Sequence, residues 1–549
     1  MVSRWKNLKL VASCFCAIAL TQFFASKTPV RAADTVVVRV GLFAESISVA
    51  DLQKAADTGK FPTALEFYTN RLSQEQRRLL VEALRTKVPV NVVLMNRLLN
   101  TQIGSTILKD ISTALVRKDQ AGVQALRGAL VVGSTPQDGL SILSFIAAYP
   151  SKRLEINLPR AFAVAGNLNT GFWRTQQFML AIAPQIDPYK PQISLPFDPS
   201  QPGTAQVQVL KLNFNDQKRD RQIPVDIYWS TAATAEKPVI IYTHGMGAVR
   251  TDLQYLAEHL ASHGYIFVAL EHPGSNSTYV NSALQGKTRL LQPQEFLDRP
   301  KDISFVLDEL EKLNQTANNP LQGKLATNNV MVIGYSFGGG TALTIAGGEL
   351  QIQDIKKRCQ GNLTVFSAGE TLQCIAQELP ENSYQLRDAR IKQAIAFNPT
   401  ASIMFGETGL TKVQVPTLVL AGSADKTTPA LSEQIIPFTK IPTSKWLVGI
   451  LGGTHLSIRD SKANLDQIGQ PNTPFSGGEV VGEQAADIRK FVKAITLAMA
   501  AQLTKDADQY AIFLTPDYAQ LASTAAFPFR IVREIPPDVL PVMNEVTKN

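Results

Sequence analysis

The sequence predicts a doubly wound α/β domain on a mostly parallel sheet, preceded by a small, mainly helical domain. Three observations carry that expectation. From about residue 205, short apolar runs alternate with segments of helical periodicity. One such run, Val330-Met331-Val332-Ile333, leads into Gly334-Tyr335-Ser336-Phe337-Gly338 and a small-residue helical stretch, the form of a strand turning sharply into a helix. Before residue 160, nearly all the periodicity is helical.

At 549 residues the chain is too long for one ordinary core, so two or three domains are expected. With 45% apolar and 18% charged residues it is globular rather than disordered.

The N-terminus has the composition of an export signal. Arg4, Lys6 and Lys9 precede an apolar stretch, Leu10 to Ala25, that is short for a bilayer span. Small residues offer cleavage after Ala32 or Ala33, and a membrane anchor is the competing reading. Val11-Ala12-Ser13-Cys14 faintly resembles a lipoprotein box but lies before most of the apolar run. Removing residues 1–32 takes away five basic residues and no acid, so the net charge of +8 becomes +3, no argument for nucleic acid. Cys14 and Cys16 leave with the signal. Cys359 and Cys374 remain, and in an oxidising compartment they could close a short loop as a disulfide. There is no C-x-x-C and no paired His/Cys cluster, so neither a metal nor another cofactor is expected.

Residues 34–160 open with a strand at 35–41 and continue with helices. Ser48-x-x-Asp51 starts one helix and Gly59 stops it; Ser73-x-x-Gln76 is a capping box. Val92 to Leu99 and Ile107 to Val116 keep helical spacing, and Thr135-Pro136-x-Asp138 puts Pro at N1 of a helix running to about Tyr149. This segment holds no His and reads as an accessory domain. Residues 161–204, rich in Pro, read as a connection in which Phe172-Trp173 docks on something.

In the second half, Val207 to Phe214 alternates as an antiparallel edge strand, with a phase slip at Val209-Leu210 that suggests a bulge. Strands follow at 225–229, 239–243, 265–270, 330–335, 391–397 and 417–421, with a last one at 446–451. Helices lie at 253–262, 303–313 and 484–503. Segments 273–298 and 349–388 interrupt the alternation and are candidate lids; 504–549 reads as a C-terminal extension.

Gly-x-Ser-x-Gly after a buried strand lifts one Ser into the open, with the partial positive charge of a helix N-terminus beside it. Ser336 is thus the candidate nucleophile. On this type of sheet the acid and then the base follow it along the chain. Asp425 stands in a turn after the strand ending at Ala421. Of the five His (244, 259, 263, 272 and 455) only His455, in a loop after the last strand, follows Asp425. Asp425 can hold the imidazole in the right tautomer while His455 carries the proton. The N–H of Phe337, directly after the nucleophile, and that of Met246, in the loop after strand 239–243, are the candidate oxyanion donors. His244 reads as a buried scaffold for that loop, and His259 and His263 as structural.

These residues carry a resemblance. His244-Gly245-Met246-Gly247, Leu260-Ala261-Ser262-His263-Gly264-Tyr265, Glu271-His272, Gly334-Tyr335-Ser336-Phe337-Gly338-Gly339 and His455 resemble an α/β-hydrolase of the platelet-activating-factor acetylhydrolase and dienelactone-hydrolase-like group. The resemblance covers roughly 205–503. It implies the α/β-hydrolase fold, with Ser336, Asp425 and His455 as a triad. Residues 34–160 are similar to a domain of unknown function found ahead of such hydrolases in exported cyanobacterial proteins. Gly-Tyr-Ser-Phe-Gly-Gly-Gly also resembles bacterial polyester hydrolases and cutinases. The acetylhydrolases often carry His before the Ser; here it is Tyr335.

The expectation is an exported serine hydrolase, in periplasm, thylakoid lumen or medium, that cleaves a lipid-like or short-chain ester through an acyl-enzyme. Its partners would be that small-molecule or lipid ester and, peripherally, a membrane or lipid surface. Polyester or amide cleavage, and a non-catalytic binding protein that kept the fold, stay open as alternatives.

Overall fold

The computed structural model describes the backbone of residues 33–40, 43–61, 191–360, 367–463 and 478–548, and parts of 62–190. The export signal and the Ser73–Gln76 capping box lie outside the described residues. The chain forms two compact units, one of Met1–Asn96 and Ile111–Ala161, the other of Arg97–Asp110 and Phe162–Asn549. Among the described residues no helix is long and apolar enough to cross a membrane.

The first unit is less purely helical than its periodicity predicts. Strand β1 (Thr35–Val40) pairs antiparallel with β2 (Phe43–Ser48) and parallel with β5 (Arg153–Asn157); β3 (Lys87–Val88) pairs with β4 (Leu140–Ser141). The helix Val49–Thr58 is capped by Ser48, whose hydroxyl accepts from the Asp51 N–H, and stopped by Gly59 at φ 72°. The predicted helix start at Pro136 is too early. The Gly139 N–H closes a turn on the Pro136 carbonyl, and the helix is Ile142–Ala148. Ser141 and Ser144 cap its start reciprocally, so two small hydroxyls override the Pro signal.

The second unit is built on a nine-stranded mixed sheet. In chain order its strands are β6 (Val207–Asp216), β7 (Arg221–Ser230), β8 (Val239–Thr243), β9 (Ile266–Leu270), β10 (Val330–Tyr335), β13 (Ile391–Phe397), β14 (Thr417–Gly422), β15 (Lys445–Ile450) and β16 (Phe529–Val532). A separate two-stranded ribbon pairs β11 (Leu350–Gln351) with β12 (Ser383–Tyr384). The spatial order is β16-β15-β14-β13-β10-β8-β9-β7-β6. Strands β15 through β9 run parallel, and antiparallel strands close both ends.

Alternation along the parallel strands feeds two cores. Val239, Ile241, Val268, Val330 and Val332 pack with Ile303, Val306, Leu307 and Leu310 of the helix Glu295–Gln315. Ile240, Tyr242, Phe267, Met331 and Ile333 face the other way, onto Leu256 and Leu260 of Gln254–Ser262 and Phe491, Val492 and Ile495 of Ala486–Ala501. Burial on both faces is why these strands read as unbroken apolar runs, each such side chain contributing about 1.5–3 kcal/mol.

Three expectations are corrected here. The β6–β7 register runs without a shift from Val207 to Asp216, so there is no bulge; Val209 simply faces solvent. The last strand is β16, not β15, so the segment after 503 completes the sheet. The stretch 161–204 is more than a connection, because its helix Thr170–Ile182 is seated on the second unit: the Thr175 hydroxyl accepts from the Leu431 N–H at 3.1 Å and Gln176 donates to the Ser423 carbonyl at 2.8 Å.

Candidate active site

The candidate residues stand at the carboxyl ends of neighbouring parallel strands, where an open α/β sheet leaves a crevice. Ser336 follows β10, Asp425 follows β14, His455 follows β15 and Met246 follows β8.

Ser336 sits at φ 57°, ψ −120°, a region L-residues avoid at about 1–3 kcal/mol. Its neighbours over-determine it. The Ser336 N–H donates to the Phe397 carbonyl at 2.9 Å, and the Ser336 carbonyl accepts from Gly339, Gly340 and Thr400 at 2.8, 3.2 and 3.2 Å. A Cβ at Gly334 would collide with the Gly338 carbonyl, and one at Gly338 with the Thr243 carbonyl. The two glycines are therefore a steric requirement of this turn.

The Ser336 Oγ lies 3.0 Å from His455 Nε2, and His455 Nδ1 lies 2.7 Å from Asp425 Oδ2. All three residues are buried, Ser336 at 7% and His455 at 5% exposure. The structure thus brings together three residues separated by up to 119 positions. Asp425 Oδ1 accepts the Thr427 and Thr428 N–H groups, both at 2.8 Å, which fixes the carboxylate plane. The Thr428 hydroxyl, 2.8 Å from Asp425 Oδ2 and 3.1 Å from His455 Nδ1, sits beside the acid–imidazole bond and touches both of its ends. From the end of β13, Asn398 donates to the His455 carbonyl at 3.2 Å, and the Tyr335 hydroxyl donates to the same carbonyl at 3.1 Å. Thr428 and Asn398 escaped the sequence reading because nothing in their local pattern marks them.

The loop carrying Met246 passes directly against the nucleophile. A Cβ at Gly245 would lie 3.1 Å from Ser336 Cβ and 3.3 Å from the Tyr335 ring. Among the described residues neither the Met246 nor the Phe337 N–H is engaged in a hydrogen bond. His244, buried beneath this loop, has its tautomer set by its partners. Nε2 accepts the His272 N–H at 3.0 Å, so Nδ1 carries the proton and donates to the Gly245 carbonyl at 2.7 Å. Burial, then the nearby Arg299, holds its pKa well below the usual range. It is a neutral scaffold, as expected.

Beside the acid loop, the Gly369 N–H donates to the Thr427 carbonyl at 2.8 Å. Gly369 lies on the helix Ala368–Gln373, which runs into Cys374, and Cys374 forms a disulfide with Cys359. The two candidate lids are joined, because Arg289 holds Glu378 through two bonds of 2.9 and 2.6 Å. The first of them places the helix Ser277–Leu284 over the loop that carries Met246, with Val280 3.5 Å from where a Gly247 Cβ would be. Among the described residues no group of three or more His, Cys, Asp or Glu is placed to hold a metal ion.

A nucleophile, a base and an orienting acid in hydrogen-bonded series, with two free N–H groups nearby, can carry out acyl transfer. Comparison with known proteins agrees with the fold. A family described as alpha/beta hydrolase of unknown function (DUF1400) matches residues 32–157, and one described as PET hydrolase-like matches 224–367. The platelet-activating factor acetylhydrolase of Cavia porcellus is 30% identical over 151 residues, covering 22% of this chain and 35% of that protein. That of Bos taurus is 29% identical over 143 residues, covering 20% and 32%. The chain thus spans about a third of the length of these curated relatives. The nine-stranded sheet, the strand-turn-helix at Ser336 and these matches together make the chain an α/β-hydrolase by fold, similar over part of its length to PET hydrolase-like proteins and platelet-activating factor acetylhydrolases.

Proposed function

We propose that this chain is a serine hydrolase that cleaves carboxylic esters of lipid-like or short acyl chains, and that it works after export. The observation that supports this most is the unbroken series from Ser336 Oγ through His455 to Asp425, at 3.0 and 2.7 Å. In the proposed reaction His455 Nε2 takes the Ser336 proton as Oγ attacks the acyl carbon. The oxyanion that forms is held by the N–H groups of Phe337 and Met246. As the intermediate collapses, His455 gives the proton to the departing alkoxide, leaving an acyl-enzyme. Water repeats the cycle and releases the acid. A polyester substrate is the second reading, favoured by the PET hydrolase-like match over 224–367.

The test is hydrolysis of chromogenic esters of increasing acyl length by the mature protein, beside Ser336→Ala and His455→Ala. Activity that peaks at one length and vanishes in both variants is expected. Activity surviving in both, or none at any length, sinks the proposal.

A further inference from the structure

We infer that Arg299 is a positioning residue of this site: it ties the two oxyanion-donating segments together and keeps its positive charge beneath them. The inference rests on the ester-hydrolase reading above.

Arg299 lies on the helix Glu295–Gln315, next to Pro300, and its side chain is fully buried. The guanidinium reaches three separate elements. Nη2 donates to the His244 carbonyl and, at 3.1 Å, to the Thr243 hydroxyl, both at the start of the loop that carries Met246. Nη1 donates to Ser275 Oγ at 2.7 Å, in the loop after β9. Nε donates to Thr341 Oγ1 at 3.1 Å, and the Thr341 hydroxyl donates onward to the Phe337 carbonyl at 3.1 Å. The Phe337 ring stacks 4.6 Å from the guanidinium carbon. One side chain thus fixes both segments whose free N–H groups would meet the oxyanion.

Every one of these acceptors is neutral. Along these hydrogen bonds the Glu295 carboxylate stands one group away and that of Asp302 two. Ser275 Oγ donates to Glu295 at 3.0 Å, and the Thr243 hydroxyl reaches Asp302 through His272, in steps of 2.8 and 2.8 Å. Both carboxylates are engaged by Arg221, at 2.7 Å each, and Asp302 also by Arg219 at 2.8 Å. Burial lowers the Arg299 pKa to about 10, so it remains charged at neutral pH. A buried cation without a direct counter-ion is unfavourable in the resting protein. In a water-excluded site its field acts strongly on any anion that develops nearby.

The experiment compares Arg299→Met, Arg299→Lys and Thr341→Val with wild type in the mature protein. It reads kcat and KM on a chromogenic ester, and the affinity for a trifluoromethyl ketone of matched acyl length, which becomes an oxyanion when Ser336 adds to it. Arg299→Met should lose about 100-fold in kcat, the size of losing one oxyanion donor. Arg299→Lys keeps the charge but not the fork and should lose about tenfold. KM should stay within about threefold, and ketone affinity should fall in step with kcat/KM, which general loosening would not produce. Folded Arg299→Met with kcat within threefold of wild type, or lost activity with unchanged ketone affinity, overturns the inference. Should the Met variant not fold, the Lys and Thr341→Val variants decide by the same criterion. A wild type that neither hydrolyses esters nor takes up a fluorophosphonate at Ser336 would instead overturn the hydrolase reading, and the inference with it.

Discussion

Replacing Asp425 by Asn should inactivate the protein while leaving it folded, and the geometry says why. Oδ1 accepts two backbone N–H groups, from Thr427 and Thr428, both at 2.8 Å. An Asn must therefore keep its carbonyl oxygen at that position, because an amide nitrogen would face two donors. Its NH2 then stands where Oδ2 was, 2.7 Å from His455 Nδ1. The imidazole answers by taking the other tautomer, with Nδ1 accepting and the proton on Nε2. Nε2 faces Ser336 Oγ at 3.0 Å and can no longer receive its proton. The wrong tautomer lowers kcat by about 10⁴ in the corresponding change of a serine protease, equivalent to roughly 5.5 kcal/mol. Stability should change little, since size and both backbone bonds are kept. Asp425→Ala, by contrast, strands the buried Thr428 N–H, at about 1–3 kcal/mol, and the part-buried Thr427 N–H. The assay is kcat on an activated ester, with thermal unfolding of the same samples. A folded Asp425→Asn protein within tenfold of wild type would refute the claim that Asp425 sets the tautomer.

Gly245→Ala should lower kcat about tenfold, because its Cβ would press on Ser336 Cβ at 3.1 Å and push the oxyanion loop back, a small misplacement of the kind that is expensive in rate. Gly338→Ala should instead prevent folding, since its Cβ overlaps the Thr243 carbonyl; soluble, fully active protein would contradict this. Reducing the Cys359–Cys374 bond, which closes a loop of 15 residues, should lower stability by about 3 kcal/mol and weaken activity through the Gly369–Thr427 contact; calorimetry with and without reductant checks it. The buried Glu433 has its pKa pushed up to about 8 by burial and then by the neighbouring Glu370 carboxylate, itself raised by burial and faced by Arg358 and Arg174. The folded protein therefore holds a proton that the unfolded chain releases near pH 4.5. Stability from this group is full below that pH and lost as pH climbs towards 8. Glu370→Gln should flatten the decline in melting temperature over this range, and an unchanged slope would count against the coupling.

Much of this architecture is legible because it is local. Val239 to Thr243 reads as a buried strand and is one over those same residues, since a strand covered on both faces must be apolar at nearly every position, and Ile391 to Phe397 likewise reads as a strand and is one. The accessory unit is less legible in the sequence. Its strand Arg153–Asn157 is short and half exposed, so no run of apolar residues announces it, and Ser141 outcompetes Pro136 as the helix start. The edge strand Phe529–Val532 has no sequence signal of its own, because four residues form a strand only when a sheet edge is there to receive them.

The sequence by itself determined the turn at Ser336 and the order of the candidate residues. Gly334, Ser336 and Gly338 meet within one turn of backbone, so hard-sphere sterics write that constraint into five adjacent letters. Only the tertiary structure decided what surrounds them. Thr428 beside the acid–imidazole pair, Asn398 and Tyr335 on the His455 carbonyl, and Arg299 on the His244 carbonyl are all brought in by contacts across many residues of chain. Arg299 is fully buried on the helix Glu295–Gln315, and a buried guanidinium must spend its donors on whatever carbonyls and hydroxyls the fold presents, here those of Thr243, His244, Ser275 and Thr341.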